Sequence, residues 1–358
     1  MDYRTSGVDI DAGMEVVERV KRLAKSTFTH GVLSDIGTFG GLFRPELSGM
    51  AEPVLVASAD GVGTKLAVAF AAGLHTTVGV DLVNHCVNDI LVQGARPVFF
   101  LDYLATGRLS PDVSAAVIEG VATGCRQNGC ALLGGETAEM PGFYADGQYD
   151  LAGFVVGLVD RARIIDGRSI VPGDVLIGLP SSGLHTNGYS LARRILFDQL
   201  ELRVDSVVDG LDGTVGEELL RTHRSYQSAL RPVIATGRVK GLAHITGGGL
   251  TDNVPRVLPD GCAATIDPER WTPPPIFDFL RERGEVPPAD MYRTFNMGIG
   301  LVVVCARDDS HQVLSKLITC GEIGAALIGE VCAAGAAGGR VEYAGVDLPG
   351  DAQAACGA

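Results

Sequence analysis

The stretch PVLVASADGVGTK, residues 53–65, joins a valine-rich apolar run to an acidic residue, two glycines and a lysine. The apolar run predicts a buried strand, and the residues after it predict a tight turn into a helix. A metal-bound polyphosphate needs a carboxylate for the cation, unhindered backbone N–H groups and a positive charge. The stretch supplies these through Asp60, Gly61, Gly63, Thr64 and Lys65. An ordinary Asp-Gly turn with Asp60 as a helix cap is the alternative, and the stretch alone leaves both interpretations open.

Length and charge narrow the class of protein. The chain has 358 residues, so two domains are expected rather than one. Its net charge of −14 argues against nucleic acid and anionic membranes as partners. No apolar run approaches the ~20 residues of a membrane span. Residues 1–13, MDYRTSGVDIDAG, lack the basic-then-apolar pattern of a signal peptide, so a cytoplasmic protein is expected.

Hydrophobic periodicity predicts alternating helices and strands in the first half of the chain. Amphipathic helices are expected over residues 14–25, which carry Lys21, and over residues 82–94. Around the second helix, Asp81, His85, Asn88 and Asp89 recur at helical spacing and are expected on one face. Strands are expected over residues 53–59, 76–80, 98–101, 131–133 and 151–159.

Four of these strands are each followed by, or run into, an acidic residue: Asp60, Asp81, Asp102 and Glu136. One such residue is usually a turn former. Four at equivalent strand ends indicate a divalent-metal site, because clustered carboxylates repel one another unless cations lie between them. Asp102 is the weakest candidate, since an ordinary loop is expected from Tyr103 onwards.

A polar segment over residues 160–173 predicts a domain boundary, after which two anion-binding designs follow. In each, a strand leads through a loop of small polar residues into a helix N-terminus. The loops are PSSGLHTNGYS, residues 180–190, and TGGG, residues 246–249. Three consecutive glycines are costly in a regular element, so they admit either a ligand or a neighbouring segment to close approach.

Several common nucleotide-binding motifs are missing from the sequence. It contains no G-x-x-x-x-G-K-[ST], no G-x-G-x-x-G after the first strand and no protein-kinase loop. An ATP enzyme with this sequence is therefore neither a P-loop protein nor a protein kinase.

Nine segments together resemble the phosphoribosylformylglycinamidine cyclo-ligase family, the aminoimidazole ribonucleotide synthetases, nearly end to end. They are SGVDIDAG (6–13), DGVGTKL (60–66), DILVQGARP (89–97), FFLDYLATG (99–107), GGETAEMPG (134–142), SSGLHTNGYSL (181–191), HITGGG (244–249), NVPRVLP (253–259) and MYRTFNMG (291–298). The departures are Ala59, where threonine or cysteine is common, and Asn84-His85 in place of a small-apolar pair. The tail after about residue 343 has no expected counterpart.

The resemblance implies an α+β, two-domain protomer and a homodimer whose N-terminal mixed sheets close into a shared barrel. Its expected divisions are an ATP-binding and dimerisation domain over residues 1–165, an α/β domain over 166–345 and a flexible tail over 346–358. It also implies ATP-dependent ring closure of formylglycinamidine ribonucleotide in purine biosynthesis, with Mg²⁺ and with K⁺ as a further candidate cation. Transient contact with neighbouring purine-pathway enzymes is a further expectation.

On this resemblance the family's roles fall on particular residues of the chain. Lys65, a catalytic candidate, and Lys21 would face phosphate groups. His185 would contact the substrate or transfer a proton, and the alternative is that it only orders its loop through a hydrogen bond. The remaining expected ATP contacts are Asp60, Gly61, Gly63, Thr64, Asp81, Asn88 and Asp89. The expected metal ligands are Asp60, Asp81, Asp89 and Glu136. The expected substrate contacts are Ser182, Gly183, His185, Asn187, Gly247, Gly248 and Gly249.

Two rival functions are compatible with the same segments. One is another ATP-dependent phosphotransferase of the superfamily, such as a thiamine-monophosphate kinase. Selenophosphate synthetase, a third relative, is disfavoured because no cysteine precedes Cys86. The other rival is a catalytically silent nucleotide-binding dimer, which the intact acidic set argues against.

Overall fold

A computed structural model describes residues 10–335 and 340–345 of the chain. The tail predicted over residues 346–358 lies outside this range. The described residues form two compact units. The first holds the residues up to Leu91 together with Ala95–Ile164 and Thr222–Ser225, and the second holds Val92–Gly94, Ile165–Arg221 and the residues from Tyr226 onwards.

The first unit is a four-stranded mixed sheet with helices. Strand order is β1-β4-β2-β3, in which β2 and β3 are parallel and the other pairs are antiparallel. In chain order the elements are α1 (Ile10–Lys25), β1 (Pro53–Gly61), α2 (Leu66–Ala72), α3 (Thr76–Leu91), β2 (Arg96–Thr106), α4 (Pro111–Asn128), β3 (Ala131–Glu139) and β4 (Tyr149–Asp160).

Residues 76–80 are helical, so the prediction of a strand there is wrong. They form the first turns of α3, which runs unbroken from Thr76. Gly79 and Gly120 let α3 and α4 approach closely, because a Cβ on Gly79 would lie 2.2 Å from the Val117 carbonyl oxygen. A helix buried on nearly every side loses its amphipathic period, so a short β-branched apolar run resembles a strand. Asp81 consequently lies inside a helix and does not follow a strand.

Helices α3 and α4 lie on one face of this sheet, and among the described residues part of the other face is exposed. Along β1 and β4, buried and exposed residues alternate, as expected for a sheet packed on one side. The exposed side presents Leu55, Tyr103 and Phe154, which are 69%, 36% and 46% exposed. An apolar sheet face of this kind is available to a partner.

The second unit is a six-stranded mixed sheet in the order β10-β7-β9-β5-β8-β6. Its buried core includes Leu176, Val254, Val302, Val304 and Ile328. The predicted α+β class is therefore confirmed for the chain. The prediction of an α/β second domain is wrong, because four of the five strand pairs in this sheet are antiparallel and only β10 and β7 pair in parallel. In chain order the elements are β5 (Val175–Pro180), α5 (Tyr189–Arg193), α6 (Val215–Leu219), α7 (Gln227–Ile234), β6 (Val239–His244), α8 (Gly249–Asn253), β7 (Cys262–Ile266), α9 (Pro275–Arg283), α10 (Pro288–Thr294), β8 (Ile299–Cys305), α11 (Ser310–Thr319), β9 (Ala326–Ala333) and β10 (Val341–Tyr343).

A helix that crosses a bilayer needs about 20 predominantly apolar residues. Within residues 10–335 and 340–345, none is both long enough and apolar enough to cross a membrane.

Candidate active site

The turn after β1 leads Lys65 into the interior. Gly63 has a φ of +63°, which favours glycine, and residues Gly63–Lys65 make one 3₁₀ turn before α2. Lys65 Nζ then lies 2.8 Å from Asp81 Oδ2, and both side chains are fully buried. The position of Lys65 does not support its predicted role facing a phosphate, nor does that of Asp81 support metal ligation, because each group binds the other.

Burial and mutual attraction act in opposite directions on this ion pair. Burial raises the pKa of Asp81 and lowers the pKa of Lys65, while the attraction between them opposes both shifts. Asp81 Oδ1 also accepts the backbone N–H of His223 at 2.6 Å. The pair therefore ties the start of α2 to α3 and to residues 222–225.

A second cluster of polar side chains, which includes Asp60, His85 and Asp89, lies between β1 and α3. His85 Nε2 is 3.0 Å from Asp60 Oδ2, and Asp89 Oδ2 accepts the hydroxyl of Ser58 at 3.0 Å. Asp60 Oδ1 accepts the N–H of Gly61 at 2.7 Å. Sequence analysis put His85 and Asp89 on one helix face, and the structure brings both to the end of β1.

The pKa values in this group are set by competing effects. Burial alone raises the pKa of Asp60, but the hydrogen bond and charge of His85 lower it overall. Burial lowers the pKa of His85, while its bond to Asp60 and the charges of Asp60 and Asp89 raise it overall. Because Asp60 is 39% exposed, it remains accessible to a cation.

Asn88 lies deeper, in a polar network with residues 222–225. Its side-chain nitrogen is 3.2 Å from His223 Nε2 and donates to the carbonyl of Arg224 at 3.0 Å. The ring of His223 stacks on His85 with centroids 5.2 Å apart. His223 was missed by sequence analysis, because it belongs to the first unit although 131 residues of intervening chain follow α3 before it.

The four predicted metal ligands do not form one site within the first unit. Asp60 and Asp89 lie together, Asp81 pairs with Lys65, and Glu136 lies on β3. Strands β1 and β3 are separated by β4 and β2, which places them about 14 Å apart at the usual strand spacing. Asp102 and Glu136 do not end strands as predicted, because each lies within a strand that is longer than expected.

Glu136 lines a pocket of about 680 Å³ in the first unit. The pocket lies among α1, the loop of residues 35–41 and strands β2 and β3. Its wall is mostly apolar, with glycines in the loop and at Gly134 and Gly135. Lys21 is close by, because a Cβ on Gly37 would lie 3.4 Å from Lys21 Cε, and Lys21 Nζ is ion-paired with Glu18 at 2.9 Å.

Asp102 contributes a buried carboxyl to the same pocket. Burial, with a smaller contribution from the charge of Glu136, raises the pKa of Asp102 from 3.8 to about 7. Below pH ~4 the carboxyl is protonated in both the folded and unfolded chain, and above pH ~7 it is ionised in both. The free-energy cost of its burial therefore grows as pH rises between these values.

The Asp102→Asn variant is expected to have a larger free energy of unfolding than the natural protein. The gain should be larger by about 2 kcal/mol at pH 8 than at pH 5, because only the ionised carboxyl is penalised. Urea unfolding of both proteins at the two pH values measures this difference. An equal effect at both pH values would show that Asp102 titrates normally.

In the second unit, the loop after β5 is folded by its own polar groups. His185, at φ +61° and 1% exposed, accepts the backbone N–H of Ser182 on Nε2 at 3.2 Å. The loop-ordering hydrogen bond, one of the two interpretations from sequence, is thus present. Gly183 lies beside it with its carbonyl accepting from Ser181 and from Asn296, each at 2.9 Å.

The triple-glycine loop lies against the first loop. A Cβ on Gly247 would be 3.2 Å from Asn187 Oδ1, so the two predicted substrate loops adjoin. Asn253 Nδ2 donates to the carbonyls of Gly247 and Gly249 at 3.1 and 2.9 Å. A Cβ on Gly249 would lie 2.1 Å from the Tyr292 carbonyl, so close approach of a neighbouring segment explains this glycine. Gly248 needs its φ of +97°.

Asn296 is an organising residue that patterns alone did not reveal. It is buried, and its oxygen lies 3.1 Å from Ser181 Oγ and accepts the N–H of Gly298 at 2.8 Å. It thereby joins the segment before β8 to the loop after β5. Its only sequence signal was the MYRTFNMG segment of the family resemblance.

Comparison with known folds agrees with this two-unit architecture. The solved thiamine-monophosphate kinase from Stenotrophomonas maltophilia K279a superposes with a TM-score of 0.63 at 19% identity, covering 93% of this chain and 97% of that one. A hydrogenase maturation protein HypE in complex with ATP superposes with a TM-score of 0.61 at 17% identity, covering 90% and 89%. At these identities the likeness shows the fold.

Comparison at the level of sequence is closer. Residues 48–159 match the N-terminal domain, and residues 171–342 the C-terminal domain, of AIR synthase related proteins. The phosphoribosylformylglycinamidine cyclo-ligase of Trichlorobacter lovleyi is 56% identical over 92% of this chain and 94% of its own length. That of Syntrophotalea carbinolica is 54% identical over 92% and 94%. With both halves matched and this identity along nearly all of its length, the chain belongs to the phosphoribosylformylglycinamidine cyclo-ligase family.

Proposed function

We propose that this protein closes the imidazole ring of formylglycinamidine ribonucleotide, using ATP and releasing aminoimidazole ribonucleotide, ADP and phosphate. The observation that carries the proposal is the 56% identity with a named cyclo-ligase along 92% of the chain.

The chemistry requires activation of a poor leaving group. The formyl-amide oxygen attacks the γ-phosphorus of ATP, the bond to ADP breaks, and an imino-phosphate forms. The amidine nitrogen then attacks the activated carbon, and phosphate leaves with the former formyl oxygen. Positioning and charge neutralisation supply most of the catalysis in phosphoryl transfer.

We assign ATP to the pocket beside α1. Its apolar wall suits a nucleoside, and the glycines at 37, 40, 41, 134 and 135 leave backbone accessible. Lys21 lies next to the loop and needs only to release Glu18 to reach a phosphate. A HypE protein of this fold was solved in complex with ATP, which supports nucleotide binding by the fold.

The residues at the end of β1 suit Mg²⁺, which prefers carboxylate oxygens. Asp60 and Asp89 would hold the ion, and Glu136 is a candidate for a second contact in the pocket. When bound, the ion neutralises charge on the transferring phosphate. K⁺ is a further candidate cation. The loops at Ser182–Asn187 and Gly247–Gly249 offer backbone groups to the substrate's own phosphate.

We also propose a homodimer in which the partly exposed sheet faces close into a shared barrel. Leu55 and Phe154 supply exposed apolar surface, and β1 and β3 are edge strands that pairing would protect. The Phe154→Glu variant is expected to raise the dimer dissociation constant at least about 30-fold, since central apolar anchors carry ~2 kcal/mol or more. Light scattering after size-exclusion chromatography measures this.

The matched control for the dimer is Ile323→Glu, which places the same charge at an apolar residue of the second unit that is 82% exposed. It should leave the dimer intact. A Phe154→Glu protein that remains dimeric at the lowest measurable concentration would show that the sheet face is not the interface.

An isotope experiment tests the imino-phosphate. Substrate carrying ¹⁸O in the formyl group is expected to transfer that oxygen to inorganic phosphate, one atom for each ring closed. Phosphate without label would exclude the intermediate, whereas a phosphorylated product that does not cyclise would favour the kinase alternative. Absence of ADP formation in the same mixture would favour the silent dimer.

A further inference from the structure

Asp102 is a charged residue that the proposed reaction has not used. It lies on β2 and is 6% exposed, yet it lines the 680 Å³ pocket together with Leu101, Ile118 and Leu132. The space for its carboxyl exists because residue 135 is glycine: a Cβ there would lie 2.2 Å from Asp102 Oδ1. The buried Asp102 carboxyl therefore fits in the apolar wall because the neighbouring strand β3 has no side chain at Gly135.

The carboxyl has little compensation from the protein. Across residues 10–335 and 340–345, no basic side chain lies within ion-pair distance of Asp102, and no other residue donates a hydrogen bond to its carboxyl. The charge of Glu136 acts on the carboxyl and is of the same sign. An arrangement of this kind destabilises the free protein and is expected where a ligand supplies the missing donor.

The chemistry of the pocket identifies that donor. An apolar wall suits a flat heteroaromatic ring, and a carboxylate accepts a hydrogen bond from an amino group on the edge of such a ring. Adenine presents an exocyclic amino group, whereas guanine presents a carbonyl oxygen at the corresponding position. The carboxylate would therefore attract the first base and repel the second.

We propose that Asp102 determines base specificity by accepting a hydrogen bond from the exocyclic amino group of the adenine of ATP. This inference rests on the proposed use of ATP and deepens it, because it places the base end of the nucleotide at β2. The competing occupant is the amidine of the substrate, which is also a donor, and the experiment separates the two.

The test is nucleotide binding by calorimetry to the whole protein, with ADP, purine riboside diphosphate and GDP as probes. Purine riboside diphosphate lacks the amino group and is otherwise the same ligand. The natural protein should bind ADP at least tenfold more tightly than purine riboside diphosphate. Its preference for ADP over GDP should be larger still. The Asp102→Asn variant should lose most of this preference, because an amide can turn either its oxygen or its nitrogen toward the base.

The control is Asp112→Asn, a carboxyl of the same unit whose side chain is 90% exposed. It should leave all three affinities unchanged. The ligand series in the natural protein is independent of any effect of substitution on folding. Equal binding of ADP and purine riboside diphosphate there would overturn the inference by itself.

Two further outcomes are informative. If Asp102→Asn keeps the preference for ADP but loses ring closure, the carboxyl serves the substrate and the inference is wrong while the proposed function stands. If the natural protein binds no ADP at all, the assignment of ATP to this pocket fails, and the role of Asp102 fails with it.

Discussion

The Lys65→Met variant is expected to lose about 3–5 kcal/mol of unfolding free energy, because it leaves Asp81 buried without its partner. Lys65 Nζ and Asp81 Oδ2 are 2.8 Å apart and neither side chain is exposed. Methionine fills a similar volume, so the loss reports the missing charge and not a cavity. Urea unfolding at pH 8 measures it, and the loss should shrink at lower pH as Asp81 takes up a proton.

The double variant Lys65→Met/Asp81→Asn is the control. Asparagine keeps an oxygen for the His223 backbone N–H, which Asp81 accepts at 2.6 Å, and removes the unpaired charge. It should recover most of the lost stability. If Lys65→Met unfolds like the natural protein but no longer uses ATP, Lys65 acts on a phosphate, and the structural interpretation of the pair is wrong.

The Asp60→Asn variant is expected to lose ring closure by at least about 10²–10³-fold while folding normally. Asparagine keeps the hydrogen bond to the Gly61 N–H but carries no charge for a divalent cation. Asp60 is 39% exposed, so the substitution does not remove a fully buried charge, although it weakens the contact with His85. Turnover with ATP and Mg²⁺, together with Mn²⁺ binding followed by electron paramagnetic resonance, measures both consequences.

Asp150→Asn is a closely matched control on the neighbouring strand. Asp150 Oδ1 accepts the N–H of Leu151 at 2.9 Å, as Asp60 Oδ1 accepts that of Gly61 at 2.7 Å. The control should keep both turnover and Mn²⁺ affinity. Undiminished turnover in Asp60→Asn would reject a metal-binding role for Asp60.

The sequence was informative where one pattern had one structural solution. The apolar run at residues 53–59 forms strand β1 as predicted, but the prediction that the strand is buried is wrong, because β1 lies at the sheet edge and most of its residues are exposed or half-buried. Gly63, in the turn after β1, has the positive φ that the turn requires. Residues 76–80 were misread because a helix buried on most sides has no polar face to mark its period. The prediction that His85 and Asp89 share one helix face nevertheless agrees with the structure, in which both contact residues of β1.

Charge partners were the least predictable feature. Asp81 follows a short apolar run and Lys65 a glycine-containing turn, and nothing local indicates that they face each other inside the protein. His223 and Asn296 act through contacts with distant segments, which spacing along the chain does not encode. Asp102 was the weakest candidate among the acidic residues because an ordinary loop was expected from Tyr103 onwards, whereas β2 continues to Thr106.

The most direct test of the proposed function is formation of aminoimidazole ribonucleotide from formylglycinamidine ribonucleotide, ATP and Mg²⁺. Diazotisation gives a colour with the aminoimidazole product, and a coupled assay counts ADP in the same sample. We predict colour and ADP in equal amounts, with neither formed when the nucleotide or the substrate is omitted. ADP without colour, or no turnover of a folded protein, would contradict the assignment as a cyclo-ligase.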